Sequence, residues 1–329
     1  MKNALMIAGI LLAGPVLAAD KPVLNVYTYD SFAAEWGPGP AIEAGFEATC
    51  GCDLRWTTAG DGAALLSRLM LEGAASDADV AVGLDVNLMA KAQESGLFQP
   101  NSVPSPVWAL PVEWTDKTFL PFDWGWFAFV YDKARLAAPP GSLADLAASD
   151  VKIIIQDPRS STPGLGLLLW VKAAYGDKAA QVWADLADNI VTVTPGWSEA
   201  YGLFLEGEAD MVLSYTTSPA YHLIAEGDDS KAAAAFAEGH MLQVEVAAKL
   251  AATDQPELAE AFLTYLVSAG AQAVIPTKNW MYPAVLPKAG LPEGFEGLIR
   301  PEQTLFLAPD AAKSMRDAAV AEWQGALSQ

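Results

Sequence analysis

The sequence predicts an α/β protein of two lobes, each a mostly parallel sheet flanked by helices, with the lobes joined by a two-crossing hinge. Three observations lead there. β-Rich runs alternate with helix-period runs twice along the chain, once before residue 100 and once after residue 150. Such alternation builds parallel sheets with helices on their faces. Two strand-like segments, near 120–130 and 240–248, cross between the runs. The chain has 329 residues, more than the ~100–200 that one domain usually holds. With 52% apolar and 18% charged residues, it has material for a large core and is too apolar for intrinsic disorder.

Each element follows from a local pattern. Residues 23–29 (VLNVYTY) are β-rich and alternating, a first strand. Asp30 and Ser31 offer a cap, and 40–49 reads as a helix with Ile42 and Phe46 on one face. A short strand at 52–58, the turn Gly60-Asp61-Gly62 and a helix at 63–72 come next. Residues 78–84 (ADVAVGL) form a buried strand and 88–95 a helix. The Pro-rich, polar stretch 100–118 connects to the aromatic strand 119–132 (FLPFDWGWFAFVYD), and a short helix ends at 145–149. The second run starts with KIIIQ at 152–156. It continues as helices 165–175 and 177–187, strand 190–194, helix 198–206 and strand 209–215. The Ala run 232–235 favours helix. Strand 242–248 (LQVEVAA) follows a turn at Glu238-Gly239, and helices at 256–268 and 310–326 complete the pattern. Divided at the crossings, one lobe holds 19–124 and 240–284, and the other holds 125–239 and 285–329. No internal repeat or low-complexity tract interrupts the pattern.

Residues 1–18 read as a cleavable export signal. Lys2 is a short basic start, 4–12 is an apolar run broken only by Gly9, and Pro15 precedes small residues that suit a cut after Ala18. The apolar run is shorter than the ~20 residues of a membrane span, and no later stretch of that length lacks charges or Gly and Pro breaks, so no stable membrane insertion is expected. Export would carry Cys50-Gly51-Cys52, which holds both cysteines, into an oxidising compartment. A Cys50–Cys52 disulfide is expected there, with two free thiols on a loop as the alternative. The CxC spacing speaks against thioredoxin chemistry, which uses CxxC. Forty acidic against 19 basic residues give a net charge of −21, which excludes nucleic acid as a partner. The acidity suits cationic ligands or basic docking surfaces, or is simply a solvated surface. Two His and two Cys leave little material for a multi-ligand zinc site.

Two α/β lobes joined by two crossings enclose a cleft, and ligands of such sheets lie beyond the carboxyl ends of the strands. The turns at those ends supply the candidates. Asp61 sits at a helix start, either as an N-cap or as a carboxylate facing the cleft, and Gly62 lets backbone approach a ligand or simply shapes the turn. In the segment 157–164 (DPRSSTPG), Pro163 fits the first helical position and Thr162 the N-cap. Ser161 and Thr162 then resemble an anion site at a helix start, a bare cap being the other reading. Trp197 lies at a further strand-to-helix turn, as packing or as a ligand contact. Tyr215, Thr216, Thr217 and Ser218 belong to five successive hydroxyl residues ended by Pro219, a polar wall or a capped helix start. Tyr29, Trp36, Tyr221 and Trp280 lie at strand ends or loops, where pairs of rings sandwich a flat ligand or hold a cation.

Signals for catalysis are weak. Gly196-Trp197-Ser198-Glu199-Ala200 only partly echoes GxSxG, nothing selects His222 or His240 for a triad, and Gly164-Leu165-Gly166 lacks the third Gly of a dinucleotide loop. Tyr215 and Tyr221, with His222 or an acid, are a possible ferric iron set.

From about Pro22 to Trp323 the chain resembles the periplasmic thiamine-binding proteins of ATP-binding-cassette (ABC) importers. The stretches that carry the resemblance are PVLNVYTYDSFAAEWGPGP, ADVAVGLDVNL, PFDWGWFAFVYDK, QDPRSSTPGLGLLLW, VTVTPGWSEAYGLFL, LSYTTSPAYH and IPTKNWMYP. It implies a type II periplasmic-binding fold, a periplasmic location, and a thiamine, thiamine monophosphate or thiamine diphosphate ligand. It also implies delivery to the permease and ATPase subunits of an importer, with no cofactor, no reaction and a monomeric state. By resemblance the family's site residues fall on Asp61, Gly62, Ser161, Thr162, Trp197 and Tyr215 to Ser218, with Tyr29, Tyr221 and Trp280 as ring-packing aromatics. The alternatives are a binding protein for ferric iron or a polyamine, and an exported hydrolase acting on thiamine-like compounds.

Overall fold

The computed structural model describes residues 21–327; the export signal read at 1–18 lies outside the described residues. In chain order the strands are β1 (Val23–Thr28), β2 (Asp53–Thr58), β3 (Val80–Asp85), β4 (Phe98–Gln99), β5 (Leu120–Asp132), β6 (Ile153–Gln156), β7 (Ile190–Thr194), β8 (Met211–Tyr215), β9 (Lys231–Ala233), β10 (His240–Leu250), β11 (Tyr282–Pro283) and β12 (Thr304–Leu305). The helices are α1 (Asp30–Ala33), α2 (Gly39–Cys50), α3 (Gly62–Glu72), α4 (Met89–Glu94), α5 (Leu143–Ala147), α6 (Thr162–Tyr175), α7 (Ala179–Leu186), α8 (Trp197–Glu206), α9 (Pro219–Tyr221), α10 (Pro256–Leu266), α11 (Ala269–Val274) and α12 (Pro309–Leu327). Single π-helical turns extend α9 through His222–Glu226 and α11 through Ile275–Asn279.

The strand path runs β2-β1-β3-β10-β5-β8-β6-β7. Two parallel triplets, β2-β1-β3 and β8-β6-β7, flank the central antiparallel pair β10–β5. Both central strands are long enough to serve two neighbours. β5 lies against β10 over Leu120–Trp126 and against β8 over Phe127–Tyr131. β10 meets β5 over Leu242–Ala247 and β3 over Glu245–Lys249. The register slips in β10 next to Glu245 on one side and between Val246 and Ala247 on the other; such bulges twist a strand and re-aim its side chains. Every residue of β3 and of β10 is buried, because helices cover both faces. α12 packs back on α6 and α7. Among the described residues no single helix is long and apolar enough to cross a membrane.

Three local expectations are corrected. The Ala run does not form helix: Lys231–Ala233 is strand β9, paired with Tyr131 and its neighbours on β5, because an open edge of β5 outweighs a propensity of a few tenths of a kcal/mol per residue. The helix at 256–268 stops at Leu266, and Ser268 caps a new one by accepting from the Ala271 N–H. The N-cap position of α6 falls to Ser161 rather than Thr162. Strands β4, β9, β11 and β12 are two or three residues long, too short to show a period in sequence. Cys50 and Cys52 are bridged at the end of α2.

Contact between α6 and the central pair is tight. A methyl placed on Gly166 would stand 2.1 Å from the Phe127 ring, which is fully buried. Gly166→Ala is therefore expected to cost about 1–3 kcal/mol of stability, the usual range for overpacking a core. Urea denaturation of the two proteins measures this, and an unchanged midpoint would contradict the packing.

Candidate functional site

The carboxyl ends of β1, β2, β6, β7 and β8 lead into turns that converge on a cavity of about 640 Å³. The volume suits a vitamin-sized ligand, since small-molecule sites typically enclose ~300–1,000 Å³.

One side is closed by two helix starts that hold each other. Asp61 occupies the N-cap position of α3 with extended backbone, yet its carboxylate caps nothing in that helix. Asp61 Oδ2 instead accepts from Ser161 Oγ at 2.6 Å and from the Trp197 N–H at 3.0 Å. Thr162 Oγ1 accepts from the Gly62 N–H at 3.2 Å, and the Ala64 N–H donates to the Ser160 carbonyl at 3.0 Å. Each helix start thus supplies what the other leaves open: α3 lends N–H donors and a carboxylate, and α6 answers with hydroxyls and a carbonyl. Gly62 permits this approach, because a Cβ there would lie 2.5 Å from the Gly83 carbonyl oxygen and 2.6 Å from Thr162 Oγ1. Burial pushes the Asp61 carboxyl up to about 6 despite the two hydrogen bonds that favour its ionised form.

The floor is acidic. Tyr29 donates its hydroxyl to Glu245 Oε2 at 2.9 Å, Gln243 Nε2 donates to Glu245 Oε1 at 2.8 Å, and Asn279 Nδ2 reaches both Tyr29 Oη at 3.0 Å and Asp123 Oδ2 at 2.6 Å. Asp85, also fully buried, takes Asn87 Nδ2 at 2.7 Å. Asp85 Oδ1 and Asp123 Oδ1 are buried without a hydrogen-bond partner. Among the described residues no Lys, Arg or His forms an ion pair with Asp85, Asp123 or Glu245. Burial therefore raises the Asp85 carboxyl to about 7 and Asp123 to about 8. Glu245 is pushed well up by burial first and then by Asp123 and Asp85.

Aromatic rings make the walls. Trp197 stacks on Tyr201 with centroids 5.0 Å apart, faces Trp36 at 6.4 Å, and is fixed by its Nε1 donating to Ser214 Oγ at 2.8 Å. Trp280 meets Tyr221 edge-on at 5.3 Å. Its φ of 57° makes Trp280 the non-glycine residue with left-handed backbone among those described. A bulky residue rarely adopts that region, and such outliers concentrate at ligand clamps.

Nine of the twelve residues singled out in the sequence line the cavity: Tyr29, Asp61, Gly62, Thr162, Trp197, Tyr215, Ser218, Tyr221 and Trp280. Trp36, read only as a loop aromatic, lines it too. Ser161, Thr216 and Thr217 do not. Ser161 is wholly buried beneath Asp61. Thr216 is buried, with its backbone N–H on the Trp126 carbonyl, and Thr217 turns its hydroxyl toward Met281 Sδ at 3.6 Å. Most of the hydroxyl row faces inward because the turn after β8 tucks it under the lobe. Sequence reasoning missed Glu245, Lys278, Asn279 and Met281, which also line the cavity. The one signal for Glu245 was an acid inside the apolar strand LQVEVAA.

Both histidines are held by protein partners. His222 takes Tyr201 Oη on Nε2 and Glu226 on Nδ1, and His240 accepts the Phe236 N–H on Nε2 while its Nδ1 meets the Phe127 carbonyl. Tyr215 stacks on Phe127.

Residues 28–273 match the family of bacterial extracellular solute-binding proteins. The chain is 56% identical over 322 residues to the thiamine-binding periplasmic protein of Salmonella typhimurium, covering 97% of each. A solved periplasmic thiamin binding protein superposes with a TM-score of 0.92 at 54% identity, over 98% of this chain and 100% of that one. Iron-bound HitA from Pseudomonas aeruginosa shares the fold, with a TM-score of 0.72 at 20% identity over 93% of this chain and 99% of that one. The carboxyl-end cavity, the antiparallel double crossing and these full-length likenesses agree, and the chain belongs to the bacterial extracellular solute-binding proteins, among the thiamine-binding periplasmic proteins.

Proposed function

We propose that the protein captures thiamine in this cleft, in the periplasm, and passes it unaltered to the permease and ATPase subunits of an ABC importer. The observation that carries the reading is Glu245 in the cavity, with Asp123 buried behind it and no ion pair to either among the described residues, set beneath aromatic walls. Thiamine brings a permanently cationic thiazolium and a flat aminopyrimidine. The cation relieves buried carboxylates, and both rings suit aromatic faces through stacking and cation–π attraction. The relatives with the same full-length likeness carry thiamine in their names.

The lobes are 19–124 with 240–284 and 125–239 with 285–329, moving about the β5–β10 crossings as the cleft closes. The mono- and diphosphate esters are accepted as well, with Thr162, Ser218 and Lys278 placed to meet a hydroxyethyl or phosphate end. The protein acts as a monomer, uses no cofactor and catalyses nothing. Its net charge of −21 suits basic docking residues on the permease.

Titration of the purified chain followed by Trp fluorescence tests the reading. Saturation by thiamine is expected at micromolar or lower concentration, with none by ferric iron or spermidine. Thiamine mono- and diphosphate in the same series rank the esters, and thiamine recovered intact after incubation separates binding from hydrolysis. Trp280→Ala is expected to raise Kd by at least about tenfold, since a desolvated cation–π contact and its ring area are lost together; unchanged affinity would remove Trp280 from the site. Asp61→Ala strands the Ser161 hydroxyl and the Trp197 N–H, so small-angle scattering at saturating thiamine should give a larger radius of gyration than for the wild type.

A further inference from the structure

Resting on the reading of the cleft as a thiamine site, we propose that Glu245 is the counter-ion of the bound cation and that cation entry expels a proton shared by Glu245 and Asp123 in the empty cleft.

Glu245 is the one member of the buried acid trio that lines the cavity. It stands at the register slip of β10 against β5, where the bulge turns its side chain to the cleft end of the sheet. Its two oxygens are steadied by Gln243 and Tyr29, and the Tyr29–Asn279 link runs on to Asp123. Asp123 Oδ1 has no partner, so this hydrogen-bonded string ends in an acceptor with nothing to accept. A buried anion left this way is costly, and two ionised carboxylates on one short string in a dry floor repel.

The groups that face Glu245 do not relieve it. Asp123 comes from β5, Asp85 from β3, Tyr29 from the start of α1 and Tyr215 from the end of β8. Asp61 at the start of α3 and the exposed Lys278 line the same cavity. Five of these are acids or phenols, and the one amine forms no ion pair with Glu245 among the described residues. A single proton on the pair is the cheapest balance for the empty floor. A ligand cation replaces it: the carboxyl O–H breaks, the proton leaves through the cleft to solvent, and the floor keeps the same net charge.

The sign of the pH dependence follows. Burial raises both carboxyls of the pair, so the pair holds its proton in the empty protein at pH 7 and gives it up on binding. Affinity for a cation therefore rises with pH, by at most about tenfold per unit for one proton, and levels off above the raised value. A neutral ligand of the same outline shows no such rise.

Calorimetry of the full mature chain at pH 7, in buffers of differing ionisation enthalpy, counts the protons. With thiamine, between a substantial fraction of one and one proton released per ligand is expected. With thiochrome, the neutral tricyclic analogue that lacks the thiazolium charge, none is expected. Glu245→Gln should abolish release and weaken thiamine by at least about tenfold, while changing thiochrome binding far less. Asp123→Asn, which keeps the contact with Asn279, should reduce release with a smaller loss of affinity. Saturable thiamine binding without proton release by the wild type overturns this inference and leaves the binding reading standing, as does wild-type affinity in Glu245→Gln. Absence of saturation by thiamine overturns both. The wild-type proton count needs no variant, so it decides even if Glu245→Gln does not fold.

Discussion

The strand path passes from one parallel triplet to the other only through the antiparallel pair β5–β10, and the rest of the architecture hangs on that pair. β10 pairs with β3 of one triplet, β5 pairs with β8 of the other, and the two strands pair with each other, so the carboxyl ends of the two groups are brought face to face. A parallel triplet gathers its loops at one end. Two triplets opposed across a shared pair gather both sets at one cavity. Aromatic density on β5 follows from the same constraint, since a strand covered on both faces and packed against Gly166 must fill space with rings such as Phe122, Phe127 and Phe129.

Helices α3 and α6 meet at their open ends. The starts of α3 and α6 leave backbone donors open, and neither is capped by its own side chain. The two starts satisfy each other through Asp61, Ser161, Gly62 and Thr162 instead. Hydrogen bonds to a buried carboxylate contribute ~1.5–3 kcal/mol each where neutral ones contribute about 1. Contacts of this size are strong enough to fix how α3 and α6 stand against each other. They also explain why Ser161, which touches no cavity surface, stands next to the site: it holds the carboxylate that the site is built around.

The acidic floor is the complementary half of the design. Burying Asp85, Asp123 and Glu245 without an ion-paired base is unfavourable in isolation. Tyr29, Gln243, Asn279 and Asn87 meet part of that cost with neutral donors, which orient the carboxylates without cancelling their charge. A site that must attract a cation and let it go gains from neutral donors in place of a lysine or arginine, because a fixed base would occupy the position the ligand takes. Trp280, held at a φ of 57° by the π-helical turn before it, closes the opposite side against Tyr221.

Local pattern in the sequence determined the α/β alternation, both crossings and most cavity residues that sit at strand-to-helix turns, and it favoured the Cys50–Cys52 bridge that the structure shows. Those turns announce themselves through Gly, Pro and hydroxyl residues, whose backbone preferences act over three or four positions. Three things were decided only by tertiary structure. Glu245 lies mid-strand in a segment buried on both faces, where alternation carries no information about direction, and only the bulge against β5 aims it at the cleft. The hydroxyl row at 215–218 looked uniformly polar, yet the turn after β8 buries Thr216 and Thr217. The run at 232–235 has helical composition but meets an unpaired edge of β5 and becomes strand. In each case the outcome rests on a partner more than a hundred residues away or on the face a turn presents, and short-range propensity is too weak an energy to overrule either.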